Sequence, residues 1–345
     1  MSRVKVGVVG YGVIGLRLAE GVLLQRDMEL VGVADVEPTL SVRALAQRGM
    51  PYRFFNALPE NGDKLRRAGI HISGALEDLV GQCDILLDAT SAGVGARNKG
   101  LYARLGKRAV FQGGEKNSVA DVFFHGYANY AMGLGKQFLK LTSCNTTGLI
   151  RAVDCIDRAF GCEKVAITII RRVADPGDYH RGLTNALQVE KAPSHQAADL
   201  MTIMPHVDAT GILVHTPVTH GHIITILAKT KREMSKGDAL EIFHAHPRIK
   251  VVKLADGFLG NASLFRYARD LGLPRADMYE IGLWDESIVK SGDELMFAIH
   301  IPQESVVIPE SIDAIRASLE MQRTQEEGTA RTNQYLGIGP TEESG

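Results

Sequence analysis

The sequence is poor in cysteine. Its 345 residues include four cysteines, at Cys83, Cys144, Cys155 and Cys162. So few thiols in so long a chain exclude the disulfide framework of a small secreted domain. No two of them form a CxxC pair, which is the usual arrangement in a structural zinc site. The cysteines therefore predict a reduced, cytoplasmic protein without a structural metal.

The sequence also lacks a long apolar run and an excess of either charge. No apolar stretch reaches the roughly 18 residues that a membrane span needs, and the strand-like run at residues 4–9 begins without a signal-peptide layout. The net charge of −1 gives no global field that would attract nucleic acid or an anionic membrane. We therefore expect neither as a partner. The length and the ordinary apolar content of 45% predict a globular protein of two domains.

The chain contains a glycine motif of the kind that binds dinucleotides. A β-branched run at residues 4–9 leads into GYGVIG, which places Gly10, Gly12 and Gly15 in a GxGxxG pattern. A helical pattern and a second strand ending at Asp35 complete a βαβ unit. Gly10 allows the tight turn, Gly12 lets a pyrophosphate approach, and Gly15 lets the helix pack on the strand. Asp35 is expected to accept hydrogen bonds from the ribose and to repel a 2′-phosphate, which favours NAD over NADP.

Two later strand-like runs extend this pattern to further βα units. One ends at Thr90 and the other leads into a loop that contains Gly114. Ligands of open parallel sheets bind at the carboxyl ends of the strands, so both residues are expected near the nicotinamide half of the cofactor. For each of them, a role in loop structure alone is the alternative.

The segment TSCNTTG, residues 142–148, distinguishes one cysteine from the other three. A strand-like run ends at residue 142, and a helical apolar pattern begins at residue 145. Cys144 is therefore expected at a helix N-terminus, where the dipole and free N–H groups lower the pKa of a thiol and can stabilise an oxyanion. This position predicts a nucleophile, and the alternative is an inert, partly buried thiol.

A thiolate nucleophile needs a base, and the segment THGH, residues 219–222, offers two histidines. Strand alternation places His220 and His222 on the same face, so either can point into a site. With His206 and His215 they could also form part of a metal site. No carboxylate or thiolate stands at a diagnostic spacing, however, so we predict no metal.

Three basic residues are candidates for phosphate binding. Arg171 and Arg172 end a strand-like run, and the planar guanidinium group suits phosphate. Adjacent strand residues point to opposite faces. One arginine is therefore expected to face a substrate phosphate, and the other the cofactor or a neighbouring subunit. His195 lies near the start of a helical pattern, another place where anions bind. A surface ion pair or a helix cap is the alternative for each residue.

Seven motifs occur in an order that resembles the archaeal-type (type II) glyceraldehyde-3-phosphate dehydrogenases. They are GYGVIG, FQGGEK, SCNTTG, RRVAD, PSHQAADL, THGH and QESVVIPESIDAIRA, and they span about residues 4–338. The resemblance implies an α/β fold with a Rossmann dinucleotide-binding domain, residues 1–141 and 304–345. It also implies an α+β catalytic domain with a mixed sheet, residues 142–303, and a homotetramer.

The same resemblance assigns roles to single residues. Cys144 matches the nucleophile, and His220, rather than His222, matches the general base. The substrate-contacting positions are matched by Ser143, Asn145, Thr146, His195 and Gln196. The cofactor-binding positions are matched by Val13, Ile14, Gly114, Arg172 and Gln303. Many members carry a lysine where this chain has Asp35, so NAD is the expected cofactor, with NADP use left open as a family trait.

The predicted reaction is the phosphorylating oxidation of glyceraldehyde 3-phosphate by NAD(P) to 1,3-bisphosphoglycerate. It proceeds through a hemithioacetal and a thioester on Cys144, and Arg171, Arg172 and His195 are expected to hold the phosphates. Two alternatives stay open. One is a dehydrogenase for a related aldehyde, such as aspartate semialdehyde. The other is a non-catalytic NAD-binding redox sensor in which Cys144 is an oxidisable switch.

Overall fold

The computed structural model describes residues 3–49, 51–172 and 187–339. The RRVAD motif continues past Arg172 into residues that lie outside this description, as does the end of the predicted 304–345 segment. The chain divides into two compact units. The first unit contains the residues up to Thr142 together with Ile308–Gly337. The second unit contains Ser143–Val307 and the residues after Gly337.

The first unit is built on a seven-stranded parallel sheet. Its strands are β1 (Val4–Val9), β2 (Met28–Asp35), β3 (Arg53–Asn56), β4 (Ile85–Asp88), β5 (Arg108–Phe111), β6 (Val122–Phe124) and β7 (Phe138–Leu141). They lie in the order β3-β2-β1-β4-β5-β7-β6, and every neighbouring pair is parallel. All four residues of β4 are buried, as expected where both faces of a parallel sheet are covered.

Five helices connect these strands. They are α1 (Val13–Leu24), α2 (Leu40–Gln47), α3 (Gly62–Arg67), α4 (Leu76–Gln82) and α5 (Val94–Arg104). A buried apolar cluster that includes Val9, Phe55, Leu86 and Phe111 joins the strands to α4 and α5. The glycine motif therefore lies between β1 and α1, as the sequence predicts.

The second unit is built on a mixed sheet. Its strands are β8 (Cys162–Arg172), β9 (Gln188–Val189), β10 (Asp208–Thr216), β11 (His222–Thr230), β12 (Ile249–Val252), β13 (Ile281–Trp284), β14 (Val289–Ser291) and β15 (Glu294–Ile301). The order is β12-β13-β15-β11-β8-β10-β9, with β14 paired to β15. β8 runs parallel to β10 and antiparallel to β11.

Among the residues of this unit that the structure describes, four α-helices are present, namely α6 (Cys144–Phe160), α7 (His195–Ile203), α8 (Lys236–Ala245) and α9 (Asn261–Asp270). α6 packs against β8, β11 and β15 and also contacts α7 and α8. Burial alternates strictly along β11, which shows that one face of the sheet is covered and the other is more open. The predicted fold class, a Rossmann-type parallel sheet with a second, mixed sheet, is confirmed.

Two C-terminal helices, α10 (Ile308–Ser318) and α11 (Gln325–Leu336), belong to the first unit. α10 packs on α1 so closely that a Cβ on Gly21 would lie 2.8 Å from a methyl group of Ile308. Short 3₁₀ turns occupy Pro59–Asn61, Asn117–Val119, Tyr130–Gly133, Leu254–Asp256, Pro274–Ala276 and Asp285–Ser287. Among the helices described, none combines the length and apolar character needed to cross a bilayer.

Candidate active site

The glycine motif of the first unit forms a bare, narrow turn at the start of α1. Gly10 has a φ of +87°, and a Cβ there would lie 2.9 Å from the backbone of Ala89 and Thr90. A Cβ on Gly15 would overlap the carbonyl oxygen of Gly10. Gly12 is the N-cap of α1, and a Cβ there would meet nothing within 4 Å. The N–H groups of the first helical turn, which includes Val13 and Ile14, are thus accessible to a phosphate.

Asp35 ends β2 beside this turn. Its carboxylate accepts hydrogen bonds from the main-chain N–H groups of Tyr11, at 2.7 Å, and of Val36, at 2.6 Å. The Tyr11 hydroxyl in turn bonds to that of Tyr52. These contacts hold a negative charge at the end of β2 next to the glycine turn. The turn, the free helix N-terminus and the acidic residue together fit a nicotinamide dinucleotide.

The other predicted cofactor residues have less direct support. The Thr90 hydroxyl donates to Asp88, so its side chain is engaged within the protein. Gly114 lines a cleft of about 630 Å³ together with Gly93, Lys99 and Lys116. Gln303 follows β15 in the second unit.

Cys144 is the first residue of α6, where the sequence predicts it. Ser143 is the N-cap, and its hydroxyl accepts from the N–H of Thr146 and pairs with the Thr146 hydroxyl at 2.9 Å. With this cap occupied by serine, the half-buried Cys144 side chain stands at the positive end of a helix of 17 residues.

The other three cysteines are chemically different from Cys144. Burial raises the pKa of Cys83 and of Cys162 to about 12. Burial also raises the pKa of Cys155, which lies within α6, well above its usual range. These thiols are therefore protonated at neutral pH, in agreement with their predicted role in packing.

The histidine next to Cys144 is His222, and not His220, which the resemblance favours. Nε2 of His222 lies 3.8 Å from Sγ of Cys144. His220 is exposed, its Nδ1 bonds to the Thr219 hydroxyl, and its ring lies edge-on to Phe265. The prediction that His220 and His222 lie on the same face assumed that one extended strand contains both residues.

That strand is interrupted before it reaches His220. β11 begins only at His222, and Gly221 has a φ of +82°, which turns the chain between the two residues. Alternation therefore does not carry His220 to the face of His222. We take His222 in place of His220 as the candidate partner of the thiol.

The His222 ring is almost completely buried and is oriented by the backbone. Its Nδ1 accepts a hydrogen bond from the main-chain N–H of Arg172 at 3.1 Å. Only 1% of the residue is exposed. Burial and the neighbouring Arg172 and Arg171 guanidinium groups hold its pKa well below the usual range. The imidazole is thus neutral at neutral pH.

The two arginines at the end of β8 lie in different surroundings, and each forms an ion pair with a carboxylate. Arg172 is buried, and its side chain donates to the carbonyl of Thr219 at 2.9 Å and to Glu304 at 3.1 Å. Arg171 is more open and lies 3.9 Å from Glu190. Glu304 was not among the predicted site residues, although it lies next to Gln303 in the QESVVIPESIDAIRA motif, because nothing in that motif indicates that the carboxylate pairs with Arg172.

α7 contributes the remaining polar groups. His195 is its exposed first residue and pairs through Nε2 with the side-chain amide of the buried Gln196. Thr146 on α6 donates to Asp199 on α7 at 3.3 Å, so the two helix starts are linked. Among the described residues, Asn145 Oδ1 and Gln196 Oε1 are buried without a hydrogen-bond partner. Such atoms are rare in proteins and mark places where a ligand or water binds.

Comparisons with known proteins give a consistent result. Residues 143–270 match the family model described as "Glyceraldehyde 3-phosphate dehydrogenase, C-terminal domain". The chain is 39% identical to a glyceraldehyde-3-phosphate dehydrogenase of Hyperthermus butylicus, over 98% of both chains. It is 39% identical to one of Archaeoglobus fulgidus, over 98% of this chain and 99% of the relative. It is 40% identical to one of Thermococcus sibiricus, over 97% and 99%.

Proposed function

Because the chain belongs to the archaeal-type glyceraldehyde-3-phosphate dehydrogenase family, we propose that it oxidises glyceraldehyde 3-phosphate to 1,3-bisphosphoglycerate. The observation that carries this proposal is the pairing of Cys144 with His222 at the start of α6. The division of labour is also proposed: the first unit binds the cofactor, and the second carries out the chemistry.

The reaction begins at the sulfur of Cys144. Its thiolate, favoured by the N-terminus of α6, adds to the aldehyde carbon and forms a hemithioacetal. A bound nicotinamide dinucleotide supplies the oxidising power, as the acceptor of a hydride. The thioester left on Cys144 retains the energy of oxidation, which a serine ester would not do to the same extent. Inorganic phosphate then attacks the thioester carbon and releases the thiolate.

The substrate is held by the two linked helix starts. Ser143, Asn145 and Thr146 belong to α6 or its cap, and His195 and Gln196 belong to α7. The orphaned oxygens of Asn145 and Gln196 support this assignment, because a substrate hydroxyl would satisfy them. Arg171 is the more accessible of the two arginines and is proposed to contact a phosphate.

The proposed cofactor is NAD rather than NADP. The Asp35 carboxylate is held in place by main-chain N–H groups, so it does not readily move away from a 2′-phosphate. Its negative charge would repel that phosphate and attract the ribose hydroxyls. We propose a cytoplasmic location, which is supported by the four free cysteines.

We further propose the homotetramer that the resemblance implies. The open face of the mixed sheet carries Ile170, Ile212, Leu227 and Met296 on four adjacent strands. An apolar sheet face of this kind is buried favourably against a second copy of the chain. Light scattering tests the assembly: a mass of one chain would contradict the proposal.

Replacement of Cys144 tests the function. NAD(P)H formation is measured with glyceraldehyde 3-phosphate, with and without phosphate, in the parent and in Cys144→Ser. We expect turnover to fall to background in Cys144→Ser and to be retained in the control Cys155→Ser on the same helix. Near-normal turnover in Cys144→Ser would end the nucleophile assignment. Faster turnover with aspartate semialdehyde would change the substrate.

A comparison of two histidine variants tests the partner. His222→Ala is expected to slow turnover far more than His220→Ala, because Nε2 of His222 lies 3.8 Å from the sulfur, whereas the ring of His220 lies against Phe265. The opposite order would restore His220 to the role that the resemblance implies. Titration with NADH serves as the control, since neither variant is expected to change cofactor binding.

A further inference from the structure

We propose that Asp35 and Glu37 fill an anion site at the end of β2 that would otherwise bind the 2′-phosphate of NADP. The chain excludes NADP by occupying this site with its own carboxylates, and not by charge repulsion alone. This inference rests on the proposed function, because it concerns the nicotinamide dinucleotide that the first unit is proposed to bind. It names the residues that choose between the two forms of that cofactor.

The first part of the site is a set of three main-chain N–H groups around the Asp35 carboxylate. Its Oδ1 accepts from the N–H groups of Val36, at 2.6 Å, and of Glu37, at 3.3 Å. Its Oδ2 accepts from the N–H of Tyr11, in the glycine turn, at 2.7 Å. Convergent main-chain N–H groups are a common means by which proteins bind phosphate and other anions. Here the bound anion is a side chain of the protein itself.

The second part of the site is a lysine that Glu37 neutralises. The Glu37 carboxylate forms an ion pair with Lys64 on α3 and also accepts from the side-chain amide of Asn61 at 3.4 Å. Asn61 donates to the carbonyl of Val36 at 2.8 Å, which fixes the start of α3 beside the end of β2. The Lys64 side chain is 56% exposed, so a ligand can reach its ammonium group. Removal of the Glu37 charge therefore leaves a cation next to the segment that follows Asp35.

Further cations lie on the outer side of this segment. Arg43 on α2 donates through Nε to the carbonyl of Pro38 at 2.9 Å. Together with Lys64, Arg67 and Asp63 it lines a cavity of about 330 Å³. The three cationic side chains outnumber the single carboxylate in this lining. The local charge behind Asp35 and Glu37 is therefore positive and favours an anionic ligand.

The position of the site in the fold identifies the anion. In dinucleotide-binding domains, an acidic residue at the end of the second strand binds the ribose 2′-hydroxyl, and NADP carries its additional phosphate on that oxygen. Asp35 is the last residue of β2 and contacts the glycine turn. A phosphate monoester carries close to two negative charges at neutral pH. Its oxygens suit the three N–H groups and the ammonium group that the two carboxylates now occupy.

Occupation of the site and charge repulsion predict different behaviour for two variants of Asp35. Asp35→Asn removes the charge but keeps a side-chain oxygen that accepts from the N–H groups. Asp35→Ala removes both the charge and the oxygen, so the N–H groups become free to bind a ligand. Repulsion alone predicts the same gain in NADPH affinity for both variants. An occupied anion site predicts a larger gain for Asp35→Ala.

Fluorescence titrations of the full chain with NADPH and NADH measure this difference without turnover. We expect the Kd for NADPH to fall roughly fivefold in Asp35→Asn, which is the scale of one exposed charge interaction. We expect a fall roughly tenfold larger in Asp35→Ala, because charge-assisted hydrogen bonds to the freed N–H groups are added. Equal gains in the two variants would overturn the proposal. Titration with NADH verifies that the first unit of each variant is folded.

The part played by Glu37 is tested in the Asp35→Ala background. Addition of Glu37→Gln should lower the Kd for NADPH a further fivefold or so, roughly, and addition of Lys64→Met should cancel that gain. Glu29→Gln is the matched control, because Glu29 lies near the opposite end of β2 and pairs with Arg3 at a similar exposure. A gain that persists without Lys64, or that Glu29→Gln reproduces, would contradict the role of Glu37. NADH binding without any gain for NADPH overturns this inference alone, whereas a parent that binds no NADH overturns the proposed cofactor as well.

Discussion

Arg316 offers a quantitative test of how the C-terminal helices are fixed to the first unit. Its side chain is completely buried on α10. The guanidinium group binds both oxygens of Asp27, at 2.6 and 3.1 Å, and the side-chain oxygen of Gln25 at 2.7 Å. It also donates to Gln322 and to Thr332 on α11. One residue thus links both C-terminal helices to the segment between α1 and β2.

The effect of Arg316→Leu follows from these contacts. Loss of one partner of a buried ion pair costs about 3–5 kcal/mol, because the other charge is left without compensation. The Asp27 side chain is 30% exposed and regains some water, so the lower end applies. The oxygen of Gln25, a buried residue, also loses a charged donor. We expect the free energy of unfolding of the first unit to fall by about 3 kcal/mol.

The two units can be followed separately. The single tryptophan, Trp284, lies in the second unit, so its fluorescence during urea unfolding reports on that unit. Hydrogen exchange of peptides from α10 and α11 reports on the first. Arg316→Leu should speed exchange in these helices and leave the Trp284 transition in place. Arg331→Leu is the matched control, because Arg331 is exposed but lies over the same Tyr335 ring. If Arg316→Leu changes exchange no more than Arg331→Leu, the ion-pair argument is refuted.

Three further predictions follow from the site and its surroundings. Gly15→Ala should abolish tight NADH binding in a fluorescence titration, because its Cβ would overlap the Gly10 carbonyl. Iodoacetamide at pH 7.5 should alkylate Cys144 before the other cysteines in peptide mass spectra, since burial raises the pKa of the other three thiols. Burial lowers the pKa of His300 to about 4, from an ordinary value of 6.5. The neutral ring of His300 therefore makes its full contribution to stability above pH 6.5, and this contribution is lost as the pH falls towards 4. Between pH 7.5 and 5, the free energy of unfolding of the parent should therefore fall by roughly 2 kcal/mol more than that of His300→Gln, as measured by Trp284 fluorescence.

The features that the sequence predicted correctly depend on local patterns. The βαβ unit around Gly10 and Asp35 follows from the spacing of glycines, apolar residues and one acidic residue. The placement of Cys144 at the start of α6 follows from a strand run that ends just before an apolar helical stripe. In both cases the information lies within about 35 consecutive residues, over which periodicity is a reliable guide.

The features that the sequence did not predict depend on contacts between distant segments. The guanidinium group of Arg172 looks like a phosphate ligand when only its residue type is considered. Its bond to Glu304 joins residues 132 positions apart, and no local sequence pattern predicts such a pair. Arg171 is likewise near Glu190, whose segment is brought to it by the pairing of β9 with β10. Whether an arginine has a carboxylate beside it thus depends on how distant segments are brought together in the sheet, which the local motif does not show.

The choice between His220 and His222 illustrates a third kind of limit. Both residues stand in one motif, and two-residue spacing normally places side chains on one face. A single backbone angle at Gly221 separates them, so that His222 enters β11 and His220 remains outside it. Entry into the strand also brings Nδ1 of His222 within hydrogen-bond distance of the amide of Arg172. The residue at which one strand begins thus determines which of the two histidines lies beside Cys144.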